Sequence, residues 1–322
     1  MTIHAPRNNG KDSQFWLRFW GVRGSYPTAN ASNRRFGGNT SCIEVRAGRH
    51  RLIFDAGTGI IPLGKELCRS ASPPEAAYIF LSHTHIDHVM GLCFFEPLLT
   101  PKTRTFILGP GDSRGALTRS LRHLTHSHLF PVSLDELKGR KEIFSLAGGT
   151  VVRFSAPGRR PKITPPRSGN GAGGSEDLTI ATYKSLAHPL NGVMLYRVWY
   201  KNRSLVYATD IEQHEGGYPE IIEFARDADL LIHDAQYLQE EYYSKVKPKR
   251  GWGHSTIEMA AAVARAANVK RLVLFHHEPM HDDRTMREIA RQCKELFPAS
   301  LVAHEGKTIS LRKLKSDQVD AH

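Results

Sequence analysis

The most informative stretch of this chain is Ser82-His83-Thr84-His85-Ile86-Asp87-His88. It directly follows the apolar run 76–81 (AAYIFL), whose short length and aliphatic and aromatic content predict a buried strand. Side chains of an extended backbone repeat every two residues, so His83 and His85 should point the same way. Neutral imidazole and carboxylate groups bind zinc, manganese and iron. We therefore expect a metal site at this strand end, with Asp87 and His88 facing a second metal. The alternative, a solvated His-rich turn, is disfavoured because further ligand candidates recur downstream.

The composition is that of a globular protein: of 322 residues, 40% are hydrophobic and 24% are charged. We expect a single domain over 1–322, with frayed ends at 1–13 and 315–322. The four cysteines are scattered, which predicts reduced thiols. No apolar run reaches about 20 residues, which predicts no membrane span, and no apolar signal core opens the chain, so we expect a cytoplasmic protein. The net charge of +12 attracts anions, although a merely soluble basic surface is the commoner explanation of such a charge.

The segment 156–176 differs in kind from the rest of the chain. It contains four prolines, five glycines and four basic residues. Such a composition cannot bury a core and predicts a flexible insertion. We favour a solvated loop over a mobile basic arm that would hold a polyanion.

Elsewhere, short apolar strands alternate with helical patterns in both halves of the chain. Examples are a strand at 15–22, a helix at 60–69, an alanine-rich helix at 255–267, and a final hairpin of 300–303 with 308–311. This order predicts two sheets packed together with helices outside and a site along one edge.

Three more potential ligands directly follow predicted strands, namely His188, Asp210 and His276, the last beside the equally suitable His277. Each alone would be unremarkable. Together with the first cluster they complete seven ligands, enough for two metals about 3.5–4 Å apart that activate a water. We expect Asp210 to bridge them.

Two other features of the sequence do not require a role in metal binding or in catalysis. The run His123, His126 and His128 has no acidic partner, so we interpret it as a surface patch or lid. Asp55 closes a strand, and we interpret its carboxylate as an acceptor for backbone N–H groups in the turn.

The pattern His83-x-His85-x-Asp87-His88, followed by His188, Asp210 and His276, resembles the metallo-β-lactamase superfamily. That resemblance implies an α/β fold, a four-layer αββα sandwich. It also implies which side chains share a metal: His83, His85 and His188 on one, Asp87, His88 and His276 on the other, and Asp210 between them.

Further motifs resemble the phosphodiesterase branch of this family, which includes ribonuclease Z and the cyclic-nucleotide and phosphoribosyl cyclic phosphate phosphodiesterases. They are Phe19-x-Gly21-x-x-Gly24-Ser25-x-Pro27, Leu231-Ile232-His233-Asp234-Ala235 and Gly253-His254-Ser255-Thr256. The resemblance implies that His254 contacts the scissile phosphate and protonates the leaving oxygen, and that Asp234 orients His254. Asp87 is carried over as both a ligand and a catalytic residue. Asp234 stands where ribonuclease Z has a Glu, one methylene longer, which leaves its contact with His254 in question.

The resemblance implies a metal-dependent phosphodiesterase that holds two divalent ions, Zn or Mn, and works by attack of a metal-bound hydroxide on phosphorus. Ribonuclease Z of the long-arm type inserts its tRNA clamp between the third-motif His and the bridging Asp. Here only residues 189–209 lie there. We therefore expect a small or cyclic phosphodiester, such as a cyclic nucleotide, rather than RNA, contacted by Arg23, Gly38 and Asn39. We expect no membrane partner and leave a homodimer open. The alternatives are a tRNA 3′-processing endoribonuclease and a catalytically weak metal-binding sensor or nucleic-acid-binding module.

Overall fold

The first of two sheets contains the amino-terminal strands and the last strand of the described residues. The computed structural model describes residues 14–126, 128–166, 178–214 and 216–312. The first sheet is built from β1 (Phe15–Gly21), β2 (Cys42–Ala47), β3 (His50–Phe54), β4 (Ala76–Phe80), β5 (Arg104–Pro110), β6 (Lys141–Leu146) and β15 (Thr308–Ser310). The strand order is β15-β1-β2-β3-β4-β5-β6, and β3 to β6 run parallel.

The second sheet holds the eight remaining strands of the described residues. These are β7 (Val151–Arg153), β8 (Lys162–Thr164), β9 (Thr179–Ser185), β10 (Val193–Tyr200), β11 (Arg203–Ala208), β12 (Leu230–Asp234), β13 (Leu272–Phe275) and β14 (Ser300–Val302). Their order is β14-β13-β12-β11-β10-β9-β7-β8. Strands β11 to β14 are mutually parallel, and β9 shares their direction because β10 is antiparallel to both β9 and β11.

The core lies between the two sheets and is dominated by aromatic rings. The ring of Phe54 lies 5.5 Å from that of Phe80 in its own sheet, and 5.6 Å from those of Tyr196 and Tyr207 in the other sheet. All four side chains are fully buried. Burial of such rings stabilises the fold, since each removes on the order of 150–250 Å² from water.

Eight α-helices of the described residues cover the outer faces of the sheets. They are α1 (Ile60–Arg69), α2 (Ile86–Val89), α3 (Glu96–Leu99), α4 (Ala116–Leu124), α5 (Pro219–Ala225), α6 (Gln239–Tyr242), α7 (Ile257–Ala266) and α8 (Asp283–Leu296). Helices α1 and α4 pack on the first sheet, and α5, α7 and α8 on the second. The side chain of Thr256 caps α7 by accepting from Met259 N. The predicted four-layer αββα sandwich is confirmed.

Two local predictions need correction. The segments 300–303 and 308–311 do not form a hairpin: β14 pairs in parallel with β13 in the second sheet, whereas β15 pairs antiparallel with β1 in the first. Two short alternating segments close in sequence resemble a hairpin, and their pattern does not say that each has a partner elsewhere. Within the predicted insertion, Lys162–Thr164 forms the edge strand β8 against β7.

Several other predictions concern the ends and the surface of the chain. Residues 167–176 of the predicted insertion lie outside the described residues, as do both predicted frayed ends (1–13 and 315–322). All four cysteines are unpaired. In the described part of the chain, no helix combines the length and the apolar character that crossing a membrane requires.

Candidate active site

The candidate ligands meet at one edge, where strands of both sheets end. β4 leads into the loop that holds His83 to His88, and β9, β11 and β13 lead into His188, Asp210 and His276. Because β9, β11 and β13 share one direction, their carboxyl ends meet at the same edge of the second sheet. All seven predicted ligands are therefore brought together by topology.

The first group of ligands combines two imidazoles from the β4 loop with one from the second sheet. His85 Nδ1 lies 3.1 Å from His188 Nε2, and His83 Nε2 lies 3.6 Å from Asp210 Oδ2. Ligand atoms of His83, His85 and His188 all lie within 4.8 Å of one another. This geometry leaves three nitrogen atoms facing one small volume.

The second group contains Asp87, His88 and His276. His88 Nε2 lies 3.1 Å from His276 Nε2 and 3.2 Å from Asp87 Oδ2. Asp210 lies between the two groups: its Oδ1 is 3.3 Å from both His88 Nε2 and His276 Nε2, whereas its Oδ2 faces His83. The two oxygens of one carboxylate thus point at different imidazole sets.

These residues fit divalent cations. His83 Nε2 is buried and has no hydrogen-bond partner, which is costly unless a cation takes its lone pair. Burial, reinforced by the nearby His88, lowers the pKa of His83 well below its usual value. Burial opposes ionisation of Asp210, but the surrounding imidazoles of His276 and His88 outweigh it and lower the pKa of that carboxyl. Neutral imidazole and ionised carboxylate are the metal-binding forms, and this nitrogen-and-oxygen set suits Zn, Mn or Fe.

Four of the ligand imidazoles make a hydrogen-bond contact through the ring nitrogen that does not face the cluster, Nδ1. The contacts are His83 Nδ1 with Ser82 Oγ (3.0 Å), His88 Nδ1 with Asp55 Oδ2 (2.8 Å), His188 Nδ1 with Gly253 O (3.1 Å) and His276 Nδ1 with Gln236 Oε1 (3.1 Å). Such outer partners fix the orientation of a ligating ring. Gln236 was missed by sequence reasoning, since nothing in its local pattern signals this role.

Asp55 accepts a backbone hydrogen bond, as predicted, but not from its own turn. Its Oδ1 accepts from Ser82 N at 2.6 Å, just after β4, and its Oδ2 holds the candidate ligand His88. Asp55, Asp210 and His276 each follow a strand with φ of +60°, +53° and +60°. This left-handed conformation costs a non-glycine residue roughly 1–3 kcal/mol. The backbone is therefore strained at three positions whose side chains turn toward the ligand cluster.

The predicted pair of His254 and Asp234 is formed at the same edge. Asp234 Oδ2 accepts from His254 Nδ1 at 2.7 Å, and Oδ1 accepts from Ser255 N at 2.9 Å. The shorter Asp at 234 therefore reaches the imidazole. The ring of His254 stacks on that of His276 with centroids 4.9 Å apart. Burial opposes protonation of His254, but the charge of Asp234 and its hydrogen bond raise the pKa of the imidazole.

The three predicted substrate contacts are engaged within the protein. Arg23 is fully buried, and its guanidinium donates to the carbonyls of Gly37, Glu278 and His281 at 2.8–2.9 Å. The guanidinium therefore faces the protein interior, and a direct contact between Arg23 and a substrate would require it to leave these hydrogen bonds. Gly38 O accepts from Thr28 N, and Asn39 Nδ2 donates to Glu305.

The other histidines considered from the sequence lie outside the ligand cluster. His277 Nε2 turns away and contacts Ala303 O at 2.9 Å, so His276 is the member of the cluster. His123, His126 and His128 are exposed at the surface, in agreement with a surface patch.

A cavity of about 970 Å³ adjoins His188. Its walls include Pro189, Tyr218, Tyr243 and Arg250. Aromatic rings and a cation beside an imidazole cluster are suited to an organic phosphate ester.

Comparison of the sequence with known proteins identifies a matching family and related enzymes. A family model described as "Beta-lactamase superfamily domain" matches residues 50–277. A Ribonuclease Z of Myxococcus xanthus (strain DK1622) is 25% identical over 326 residues, covering 92% of this chain and 97% of the relative. This relative agrees with the predicted phosphodiesterase branch and supports the predicted enzyme class, a metal-dependent hydrolase of phosphodiester bonds.

Solved structures share the fold. The metallo-beta-lactamase fold protein YhfI from Bacillus subtilis has a TM-score of 0.63 and 19% identity, covering 92% of this chain and 98% of its own. The short form of human tRNase Z has a TM-score of 0.59 and 20% identity, covering 92% and 99%. The family model spans more than half of the sequence. The chain therefore belongs to the beta-lactamase superfamily.

Proposed function

We propose that this chain hydrolyses phosphodiester bonds with two divalent cations, zinc or manganese, held by the seven candidate ligands where the strands of both sheets end. One ion would be held by His83, His85 and His188 and the other by Asp87, His88 and His276. The observation that carries the proposal is Asp210, whose two oxygens face the two imidazole groups 3.3 Å and 3.6 Å away. Two such cations supply Lewis acidity and a water of lowered pKa.

The chain's own residues then position and protonate the substrate. Asp234 holds His254 Nδ1, which leaves Nε2 as the free ring nitrogen. A ring nitrogen of His254 lies within 4.8 Å of ligand atoms of His188 and Asp210. At this place a protonated imidazole donates a hydrogen bond to a phosphoryl oxygen and passes its proton to the leaving oxygen.

We further propose a small or cyclic phosphodiester, such as a cyclic nucleotide, as the substrate. Between His188 and Asp210 the chain forms only β10, β11 and their turns, with no arm that could clamp a large RNA. The cavity of about 970 Å³ beside His188 is large enough for a nucleotide.

Both sheets bury one shared core, which supports the proposal of one domain.

A second candidate, tRNA 3′ processing, is favoured by different observations. The Ribonuclease Z relative aligns with 92% of this chain. The segment just before His254 is basic and aromatic: Lys249 Nζ lies 4.1 Å from the ring of Trp252, which is 56% exposed. Exposed aromatic rings and cations together are suited to single-stranded nucleic acid.

Turnover by the metal-reconstituted protein tests these proposals. The substrates are bis(p-nitrophenyl) phosphate, a panel of cyclic nucleotides and dinucleotides, and precursor tRNA. We expect turnover of the first and of at least one cyclic nucleotide, abolished by a chelator and by Asp210→Ala but not by the exposed control Asp112→Asn. Cleavage of precursor tRNA alone would establish the second candidate. Phosphate-ester binding without turnover at any metal loading would instead indicate a sensor or binding module.

A further inference from the structure

We propose that Glu212 is a positioning residue for His254. This inference rests on the proposed function, in which His254 serves phosphodiester hydrolysis. Glu212 follows Asp210 by two residues, yet among the described residues the groups of potential metal ligands include Asp210 and not Glu212. Its carboxylate is turned toward the loop that precedes His254.

The carboxylate of Glu212 accepts hydrogen bonds from two backbone amides of that loop. Oε1 accepts from Gly251 N at 2.6 Å, and Oε2 accepts from Gly253 N at 2.8 Å. Oε1 also accepts from the hydroxyl of Tyr242 at 2.6 Å. A charged acceptor shared by three donors holds a loop more firmly than neutral bonds do.

The anchored loop contacts both histidines. Gly253 O accepts from His188 Nδ1 at 3.1 Å, and the next residue is His254. Gly253 has φ of +89°, and a Cβ at this position would collide with the ring of His188 and with Pro189. The loop therefore lies directly against His188, and a shift of Gly253 moves the imidazole of His254, the next residue in the chain.

Glu212 also connects to the segment that leads into His188. Its backbone N donates to Ala187 O at 2.9 Å. One residue thus joins the strand end before His188 to the loop before His254. The three donors need both oxygens of the carboxylate, and a glutamine would place an NH₂ group against one backbone N–H.

The variant Glu212→Gln tests this role, with the exposed neighbour Glu240→Gln as its matched control. We expect wild-type metal content, a nearly unchanged KM, and a kcat lowered roughly 10–10²-fold for a substrate with an alkoxide leaving group, since small misplacements cost this much. The kcat for bis(p-nitrophenyl) phosphate should change little, because p-nitrophenolate leaves without a proton. The double variant with His254→Ala should be no slower than His254→Ala alone.

A second readout does not depend on turnover. The Nδ1 proton of His254, assigned in NMR spectra by its loss in His254→Ala, should exchange with water roughly tenfold faster in Glu212→Gln, since a loosened loop exposes its hydrogen bond. Tyr242→Phe, which removes one donor and leaves both loop amides bound, should keep slow exchange if the backbone bonds are what matter.

Unchanged exchange in Glu212→Gln would overturn the role of Glu212. Equal losses of kcat on both substrates together with metal loss would also overturn it, because they indicate a general structural role. Absence of turnover in the wild type would overturn the proposed function instead, and the exchange rate still decides the role of Glu212.

Discussion

The carboxylate of Asp55 accepts a hydrogen bond at 2.7 Å from the hydroxyl of Tyr207, a residue of the opposite sheet. The same oxygen, Oδ2, accepts from Ser82 Oγ and contacts His88 Nδ1 at 2.8 Å. One buried acid thus ties the two sheets together and orients a candidate metal ligand.

Removing the charge of Asp55 should weaken metal binding. Asp55→Asn should lower metal affinity roughly 10–100-fold, because His88 loses its anionic partner. Tyr207→Phe should leave metal affinity unchanged and lower the free energy of unfolding by about 1 kcal/mol, since only the hydrogen bond between sheets is lost. Calorimetric metal titration and thermal unfolding measure the two effects. Equal loss of affinity in both variants would contradict separate roles.

His254 should act in the reaction without holding a metal. His254→Ala should keep both metals and slow hydrolysis of a substrate with an alkoxide leaving group roughly 10²–10⁴-fold, because the leaving oxygen loses its proton donor. Metal content by elemental analysis, together with kcat, tests this expectation. Loss of a metal ion in this variant would show that His254 is itself a ligand.

Arg23 should matter for stability and not for substrate affinity. Arg23→Met removes three hydrogen bonds to buried carbonyls and should lower the free energy of unfolding by about 2–4 kcal/mol. The exposed Arg34→Met is the control and should be nearly neutral. Denaturant unfolding gives the stabilities. A KM raised at unchanged stability would restore Arg23 as a substrate contact.

Gly24 is required because its backbone lies against the ring of His276. A Cβ at this position would overlap the imidazole, so Gly24→Ala should displace His276 and reduce metal content and kcat together. Gly306→Ala, where the added methyl meets open space despite a φ of +81°, should cost stability alone. Metal content of the two purified variants compares these outcomes.

Asp229 should make part of the stability depend on pH. Burial alone would raise the pKa of its carboxyl, but bonds from Lys270, Ser204 N and Arg203 lower it below the usual value. A lowered pKa in the folded state means that the contribution is present above about pH 4 and is lost as the pH falls through and below that value. Asp229→Asn should therefore destabilise the protein at pH 7 and reduce the loss of stability on acidification.

The control for this dependence is Asp112→Asn, because Asp112 is 87% exposed in its ion pair with Lys184. Such a surface pair contributes little, so the control should keep the wild-type slope of unfolding free energy against pH. The same slope in Asp229→Asn would show that other acids cause the dependence.

The helices and ligands that could be predicted from the sequence are those with a recognisable pattern in neighbouring residues. Helix α1 has the bounds expected from its apolar spacing, and α7 begins at the Thr256 cap. The ligands could be found because each directly follows a strand. The roles of Glu212, Gln236 and Arg23 could not, since their partners are groups distant in sequence that only the folded chain brings near. The supposed last hairpin was wrong for the same reason: each of its strands pairs with a partner outside the local segment.

The division of β14 and β15 between the sheets bears on how the nascent chain folds. One edge of β1 is paired only after residues 308–310 have been synthesised. During translation, the amino-terminal sheet exposes an unpaired strand to other chains and to chaperones. Premature termination just before β15 would therefore leave a complete set of candidate metal ligands on a sheet whose edge is open to aggregation.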